Sequence, residues 1–272
     1  MKPRGNISLI FPAMLVFLLS IASSTLYSQI TLKPFWKKQF GYTGWDSLAG
    51  GVGPLRDCYD ALYYDLEVAI DPSDKSIIGY CEMTFRAVRD FDRMQVDLNR
   101  HLKIVEVRLD QTPIEFVRKN DLLYLLPGNI RQNETHILAV SYEGKPPISH
   151  NPPWKGGLVW ATDVDGKPWI SAVCEDKSSS LWWPNKAHPS DEPDSMRISL
   201  IIPDGLRAIS NGKLIQTGPA IPGTHSAWVY QVSNPINADN VAFYIGNYDH
   251  FVVPISASMT DLGNIDCYML PA

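Results

Sequence analysis

The sequence predicts an all-β domain, a mostly antiparallel sandwich or open barrel, and three observations carry that reading. Apolar residues recur at every second position in segment after segment, as at Tyr64, Leu66, Val68 and Ile70, which is the pattern of a strand with one buried face. Turn signals separate these segments at short intervals. Between residues 57 and 142 no apolar set holds a 3.6-residue period over three turns, so helix is expected to be scarce.

Tyr63 to Ile70 is a strand, Asp71-Pro72-Ser73-Asp74-Lys75 a turn, and Ile77 to Val88 the return strand of a hairpin. The turn is read from Pro, which pre-sets the bend, and from Asp, which bonds the backbone ahead of it. Arg93 to Asn99 alternates through Met94, Val96 and Leu98, and Leu102 to Leu109 does likewise. Thr112-Pro113 is read as a turn, with further strands at Asp121 to Leu126 and Thr135 to Tyr142. Lys145 to Pro153 holds four prolines and reads as a rigid loop. A strand starts at Gly156 to Trp160, Asp165-Gly166 turns it, and Trp169 to Cys174 is its partner. Glu175 is therefore expected where a hairpin strand leaves its sheet. After Pro193 come Met196 to Ile202, Leu206 to Ser210, Ser226 to Val232, a strongly apolar and hence central Asn240 to Tyr248, and Phe251 to Ile255. Asp266 to Met269 also reads as a strand, so the sequence looks cut rather than finished at Ala272.

Residues 1–28 read as a secretory signal peptide. Lys2 and Arg4 give a positive end, Ile7 to Ala22 an apolar core, and Ser23, Ser24 and Ser28 the small residues of a cleavage region. The core is short and carries Pro12, whereas a spanning helix needs about 20 apolar residues. The expected product is exported, periplasmic or extracellular, and free of the membrane after cleavage. Residues 29–56 are read as a lead-in segment and 57–260 as the folded domain.

With 45% hydrophobic and 19% charged residues, the chain has the composition of a globular domain with a full core. A net charge of −5 without a basic cluster argues against a nucleic-acid partner. The cysteines at 58, 81, 174 and 267 are widely and irregularly spaced. Cys81 and Cys174 sit in strand-like apolar runs, where a buried free thiol is expected, so no obligatory disulfide framework is predicted.

No complete catalytic set is present. The six histidines, at 101, 136, 150, 188, 225 and 250, include no pair spaced to hold a metal on a helix. There is no G-x-S-x-G elbow and no phosphate-binding glycine loop. Asp191-Glu192, set between prolines, is expected to face solvent or cap a turn. Interest concentrates on Trp169 to Pro193, where Glu175 ends a strand and Trp182-Trp183 come shortly after. Glu175 reads as a binding carboxylate or as a solvated strand end. The tryptophans read as packing or as a ligand platform. His188 is given no role.

Three motifs in order then carry a resemblance. Tyr64-Asp65-Leu66-Glu67-Val68-Ala69-Ile70-Asp71-Pro72 followed by Ile78-Gly79, Leu181-Trp182-Trp183-Pro184-Asn185-Lys186 with His188 to Pro193, and Ala242 to Tyr248 resemble the N-terminal domain of the aminopeptidase N and leukotriene-A hydrolase family of zinc metallopeptidases, in its bacterial branch. The match runs from about 57 to 260. The resemblance implies a saddle-shaped β-sandwich covering a thermolysin-like catalytic domain. It also implies that the carboxylate or amide nine residues before the proline of the F/W-P motif contacts the substrate's free α-amino group. Counting back from Pro184, that residue is Glu175. The segment Lys177-Ser178-Ser179-Ser180 stands where many relatives carry arginines, which puts the subsite contacts there in doubt. The family's Zn2+, its H-E-x-x-H helix and its G-x-M-E-N strand have no counterpart in these 272 residues. The implied partners are therefore a peptide N-terminus and a missing catalytic domain, which 261–272 would begin. On this reading the chain alone binds no metal and is inactive. The rival reading is a free-standing secreted β-sandwich that binds protein or carbohydrate through exposed tryptophans.

Overall fold

The computed structural model describes residues 51–175, 178–254 and 264–271. The segment read as a signal peptide and most of the lead-in lie outside the described residues. In chain order the strands are β1 (Tyr59–Asp71), β2 (Ser76–Ala87), β3 (Met94–Asp97), β4 (Leu102–Leu109), β5 (Thr112–Pro113), β6 (Glu115–Lys119), β7 (Leu122–Leu126), β8 (Thr135–Gly144), β9 (Gly157–Thr162), β10 (Pro168–Val173), β11 (Ser195–Pro203), β12 (Arg207–Ser210), β13 (Lys213–Ile221), β14 (His225–Val232), β15 (Phe243–Gly246), β16 (Asp249–Pro254) and β17 (Asn264–Met269). The helical content of the described residues is two short 3-10 turns, Ser179–Leu181 and Ala238–Asn240. The fold is all-β and mostly antiparallel, as the alternation predicts.

An eight-stranded sheet runs β13-β14-β11-β1-β2-β8-β4-β5, and a four-stranded one runs β12-β15-β10-β9. A three-stranded sheet, β3-β7-β6, and the ribbon β16-β17 complete the set. The one departure from antiparallel pairing among these strands is β1 beside β11, in register from Tyr63↔Ser195 to Ala69↔Ile201. The predicted faces are the observed ones: Tyr64, Leu66, Val68 and Ile70 are all buried, with Ile77, Cys81, Met83 and Phe85 from β2 and Met196, Ile198, Leu200 and Ile202 from β11. They share one core with Ile170, Phe243 and Ile245 of the smaller sheet. Gly79, also on the inner face, pairs with Tyr142 across β2 and β8. A Cβ on Gly79 would lie 2.1 Å from the Tyr142 ring, so the tyrosine fills the space a side chain would need.

Three expectations are corrected. Thr112-Pro113 is not the turn; it forms β5, and Asp110 and Gln111 make the turn with φ of 46° and 69°. Pro113 sits on the sheet's edge strand, where a missing N–H leaves no ladder bond unmade. Strand β3 is not half exposed. Gln95 and Asp97 are buried along with Met94 and Val96, because Arg56, at the end of the lead-in, lies over them and binds Asp97. Asp191 neither faces solvent nor caps a turn. It is buried against Lys186, while Glu192 is exposed.

A pH-sensitive contact sits at the start of β8. His136 Nδ1 lies 2.6 Å from Asp110 Oδ2, and Nε2 lies 3.4 Å from Glu134 Oε2. Burial pulls the imidazole pKa down, but the two carboxylates outweigh it and raise the value above 6.5. The stabilisation from this group is complete below the unfolded value and lost as pH rises through the raised folded one. Thermal melts of wild type and His136→Gln should therefore differ most below about pH 6.5 and converge as the pH is raised well above it. A difference independent of pH would show that the charged form of His136 contributes nothing.

Candidate functional site

The site is built where β10 leaves the smaller sheet. Strand β10 lies between β9 and β15, paired from Pro168↔Thr162 to Val173↔Gly157 on one side and through Ile170↔Ile245 and Ser171↔Tyr244 on the other. Its polypeptide emerges at Cys174, whose thiol donates to Val241 O at 3.6 Å. Burial pushes that thiol up to about 12, so it stays protonated and is no nucleophile at neutral pH. Glu175 comes next, exposed in a turn. Ser178 N–H donates back to Cys174 O at 3.1 Å, and Ser178 takes a positive φ of 72°. No hydrogen bond or ion pair engages the Glu175 side chain among the described residues.

On the C-terminal side of this turn the chain is held firmly. Ser179 N–H donates to Asp239 Oδ1 at 3.1 Å, and Asp239 N–H is held in turn by Asn237 Oδ1 at 2.9 Å. Asn99 N–H donates to Ser180 O at 2.8 Å. Asn185 exchanges backbone bonds of 2.9 and 3.1 Å with Asp97, and its side-chain amide donates to Ser179 Oγ and Trp183 O at 3.0 Å each. The 3-10 turn and the residues after it thus close on themselves through polar contacts, which fixes the path of the chain from Ser179 onward.

The paired tryptophans are the apolar half of that anchor. Trp182 is 1% exposed and Trp183 0%. Trp183 meets Tyr64 of the large sheet edge-on at 5.0 Å, and Trp182 meets Phe243 of the smaller sheet in the same manner at 5.0 Å. They span the core from one sheet to the other. The reading of these residues as an exposed ligand platform is overturned by their burial, and packing is their role.

The same core holds a buried charged layer that sequence reasoning missed. Lys186 Nζ donates to Tyr59 O at 2.5 Å, pairs with Asp191 and sits 4.6 Å from the centre of the Tyr59 ring. Arg56 Nε and Nη2 donate to Asp97 at 3.0 and 2.6 Å, and Gln95 and Ala187 N–H add bonds of 3.1 and 3.3 Å. Burial raises the Asp97 carboxyl against the opposing pull of Arg56. The available signal was an odd one: a charged or amide residue at each outward position of a strand, Gln95 and Asp97, with a basic residue, Arg56, just before the first strand. His188 is local to its loop, its Nδ1 2.7 Å from Ser190 Oγ.

The arrangement offers an exposed carboxylate just beyond the end of β10, able to accept hydrogen bonds from a cation such as an ammonium. It offers no metal centre, since no group of three or more His, Cys, Asp and Glu among the described residues is placed to hold an ion. The described residues do not fit zinc.

No family model matches the sequence, and no curated protein matches it. Solved structures do match its fold. One is an M1 zinc metallopeptidase variant from Deinococcus radiodurans bound to a Tyr-Ser-Ala substrate, at TM-score 0.61 and 18% identity over 72% of this chain and 44% of that one. A two-domain M1 zinc metallopeptidase variant bound to L-arginine gives 0.63 and 17% over 76% and 46%. Native leukotriene A4 hydrolase from Saccharomyces cerevisiae gives 0.57 and 17% over 72% and 30%. The chain spans less than half the length of each. It has the fold of part of the M1 zinc metallopeptidases and of leukotriene A4 hydrolase, and this supports the family resemblance carried by its sequence motifs.

Proposed function

We propose that the chain is a member of that family and serves as the N-terminal, substrate-gating domain of a zinc-dependent aminopeptidase. Its zinc and catalytic base would belong to a domain outside these residues. The mature domain acts outside the cytoplasm, in the periplasm or beyond, on peptides with a free N-terminus. The observation that carries the reading is Glu175. The residue marked by its distance from Pro184 is an exposed carboxylate without a partner among the described residues, at the end of a central strand and followed by an anchored turn. The structures with this fold that hold a peptide or an amino acid support a peptide ligand. The free-standing binding module is not favoured, since the Trp182-Trp183 pair that would have formed its platform is core.

Glu175 binds the substrate's α-ammonium. In a closed cleft that cation needs fixed acceptors, and a buried ammonium without one is strongly disfavoured. The contact therefore selects free N-termini over internal peptide bonds. Zinc, when bound by the second domain, would supply a polarised carbonyl and an activated water; this chain contributes binding and orientation. In the polypeptide that carries both domains, Glu175→Ala should lower kcat/KM about ten- to a hundredfold, the value of a charge-assisted hydrogen bond of about 1.5–3 kcal/mol. Glu175→Gln should lose less, because it keeps an acceptor oxygen. Zinc content and melting temperature should stay unchanged. Full activity in Glu175→Ala with a melting temperature many degrees lower would make Glu175 structural.

A further inference from the structure

The outer face of the eight-stranded sheet changes character along its strands. Glu67 and Ala69 of β1 and Ile78 and Tyr80 of β2 alternate with the buried Val68, Ile70, Ile77 and Cys81, so they point away from the core. Toward one end the outward residues pair by charge. Arg197 Nη1 lies 3.1 Å from Asp65 Oδ2, and Arg108 Nε lies 2.9 Å from Glu106 Oε2. Toward the other end apolar residues take the outward positions. Ile78 is 64% exposed, Val105 58% and Tyr80 38%, where a sheet with one wet face ordinarily carries polar side chains.

These residues line a groove of about 300 Å³. Small side chains alternate with large ones across it. Ala69 lies between Ile201 and Ile78 in one row across the strands, and Ser141 lies between Tyr80 and Glu106 in the next. The register of β4 shifts between Ile104 and Glu106, which makes Val105 an extra residue in its strand, and Val105 lines the groove. A bulge of this kind re-aims a side chain. Glu67 stands directly opposite Tyr80 across β1 and β2, and both line the groove. Among the described residues no ion pair or hydrogen bond engages the Glu67 carboxylate. Its neighbours are engaged: Glu143 pairs with Lys103 at 3.3 Å, and Glu82 accepts from the Tyr80 hydroxyl at 2.5 Å.

We propose that this groove binds a small organic ammonium with an apolar body. The cation sits between the Glu67 carboxylate and the Tyr80 ring, and the apolar part lies over Ala69, Ile78, Val105 and Ile201. A carboxylate accepts the hydrogen bonds of an ammonium, an aromatic face attracts the same charge, and apolar contact removes the exposed side chains from water. Size selects a small molecule. The volume falls at the lower end of the range for small-molecule pockets, about 300–1,000 Å³, whereas a stable protein partner needs about 800 Å² of surface. Charge selects the cation, since Glu67 and Glu143 both repel an anionic head. Glu175 follows β10 of the smaller sheet, so binding here is independent of the proposed function.

The test titrates the 272-residue chain with octylamine, 1-octanol and octanoate, which share an apolar body and differ in charge, and follows backbone amide shifts by NMR. Octylamine should saturate one site, with the largest shifts at Ala69, Ile78, Gly79 and Val105. It should bind about fivefold tighter than octanol at low salt, the upper value for an exposed ion pair, with octanoate weaker than both. The preference should shrink as salt is raised. Glu67→Gln should bring octylamine down to the affinity of octanol, and Ile78→Ser should weaken amine and alcohol alike. Both variants should keep the wild-type melting temperature within a degree or two, as for surface changes generally. Equal affinity for octylamine and octanoate would overturn the proposal. So would shifts centred elsewhere on the chain, no saturation in the millimolar range, or an undiminished preference for the amine in Glu67→Gln.

Discussion

Asp97→Ala should destabilise the domain by about 3–5 kcal/mol, the cost of leaving a buried cation without its partner. For a domain of this size each kcal/mol lowers Tm by about 2–4 °C, so the fall should be roughly 6–20 °C. The size follows from the number of groups that converge there. Asp97 accepts from Arg56, Gln95 and the backbone N–H of Ala187, and both members of the pair are almost wholly buried, with side chains 1% and 4% exposed. Its loss unseats β3 and the Asn185 segment together. Replacing both partners, as Arg56→Met with Asp97→Leu, should recover much of the deficit, because a well-packed apolar pair avoids the desolvation of two charges. Thermal unfolding by circular dichroism on the single and double variants decides this. A single variant that loses less than about 1 kcal/mol would place the pair among surface ion pairs, against its burial.

Trp183→Ala should cost about as much, about 3–5 kcal/mol, as for other large aromatic deletions from cores. Trp183 meets Tyr64 edge-on, beside the Lys186 N–H bond to the Tyr64 hydroxyl, and Trp182 repeats the edge-on contact on the other sheet with Phe243. Each edge-on aromatic pair adds about 0.5–1.5 kcal/mol beyond the area it buries. Trp183→Phe should lose less than the alanine variant. Because the same segment anchors the Glu175 turn, the alanine variant should also weaken substrate binding while still folded at low temperature. Denaturant unfolding and KM, measured on the same variant below its melting transition, should move together. Lost binding with unchanged stability would restore the platform reading of these tryptophans.

Strands with one wet face were legible in the sequence because burial on one side imposes period two; β1, β2, β4, β8 and β11 follow it over most of their length. Strands β6 and β13 were not legible. Both carry exposed residues on both faces, and β13 lies at a sheet edge with two bulges and a proline that break any alternation. The buried charges were hidden for a different reason. Polarity at Asp97, Lys186 and Asp191 reads as exposure unless the partner is known. The opposing charge lies 41 residues away for Arg56 and Asp97, and across a proline-containing loop for Lys186 and Asp191. The parallel pairing of β1 and β11 was also out of reach, since it is set by the long return path through β9 and β10. For Glu175 the hairpin gave its place at the end of a strand. Its exposure beside a firmly held segment is a property of the fold alone.

The central claim is that Glu175 reads the free N-terminus of a peptide. The most direct measurement is the ratio of kcat/KM for a peptide with a free α-amine to that for its N-acetylated twin, in the two-domain polypeptide and in its Glu175→Ala variant. The account predicts that the ratio falls about ten- to a hundredfold in the variant, with the fall almost entirely in the free-amine substrate. A ratio unchanged by the substitution, in a variant that still folds and binds zinc, would contradict it.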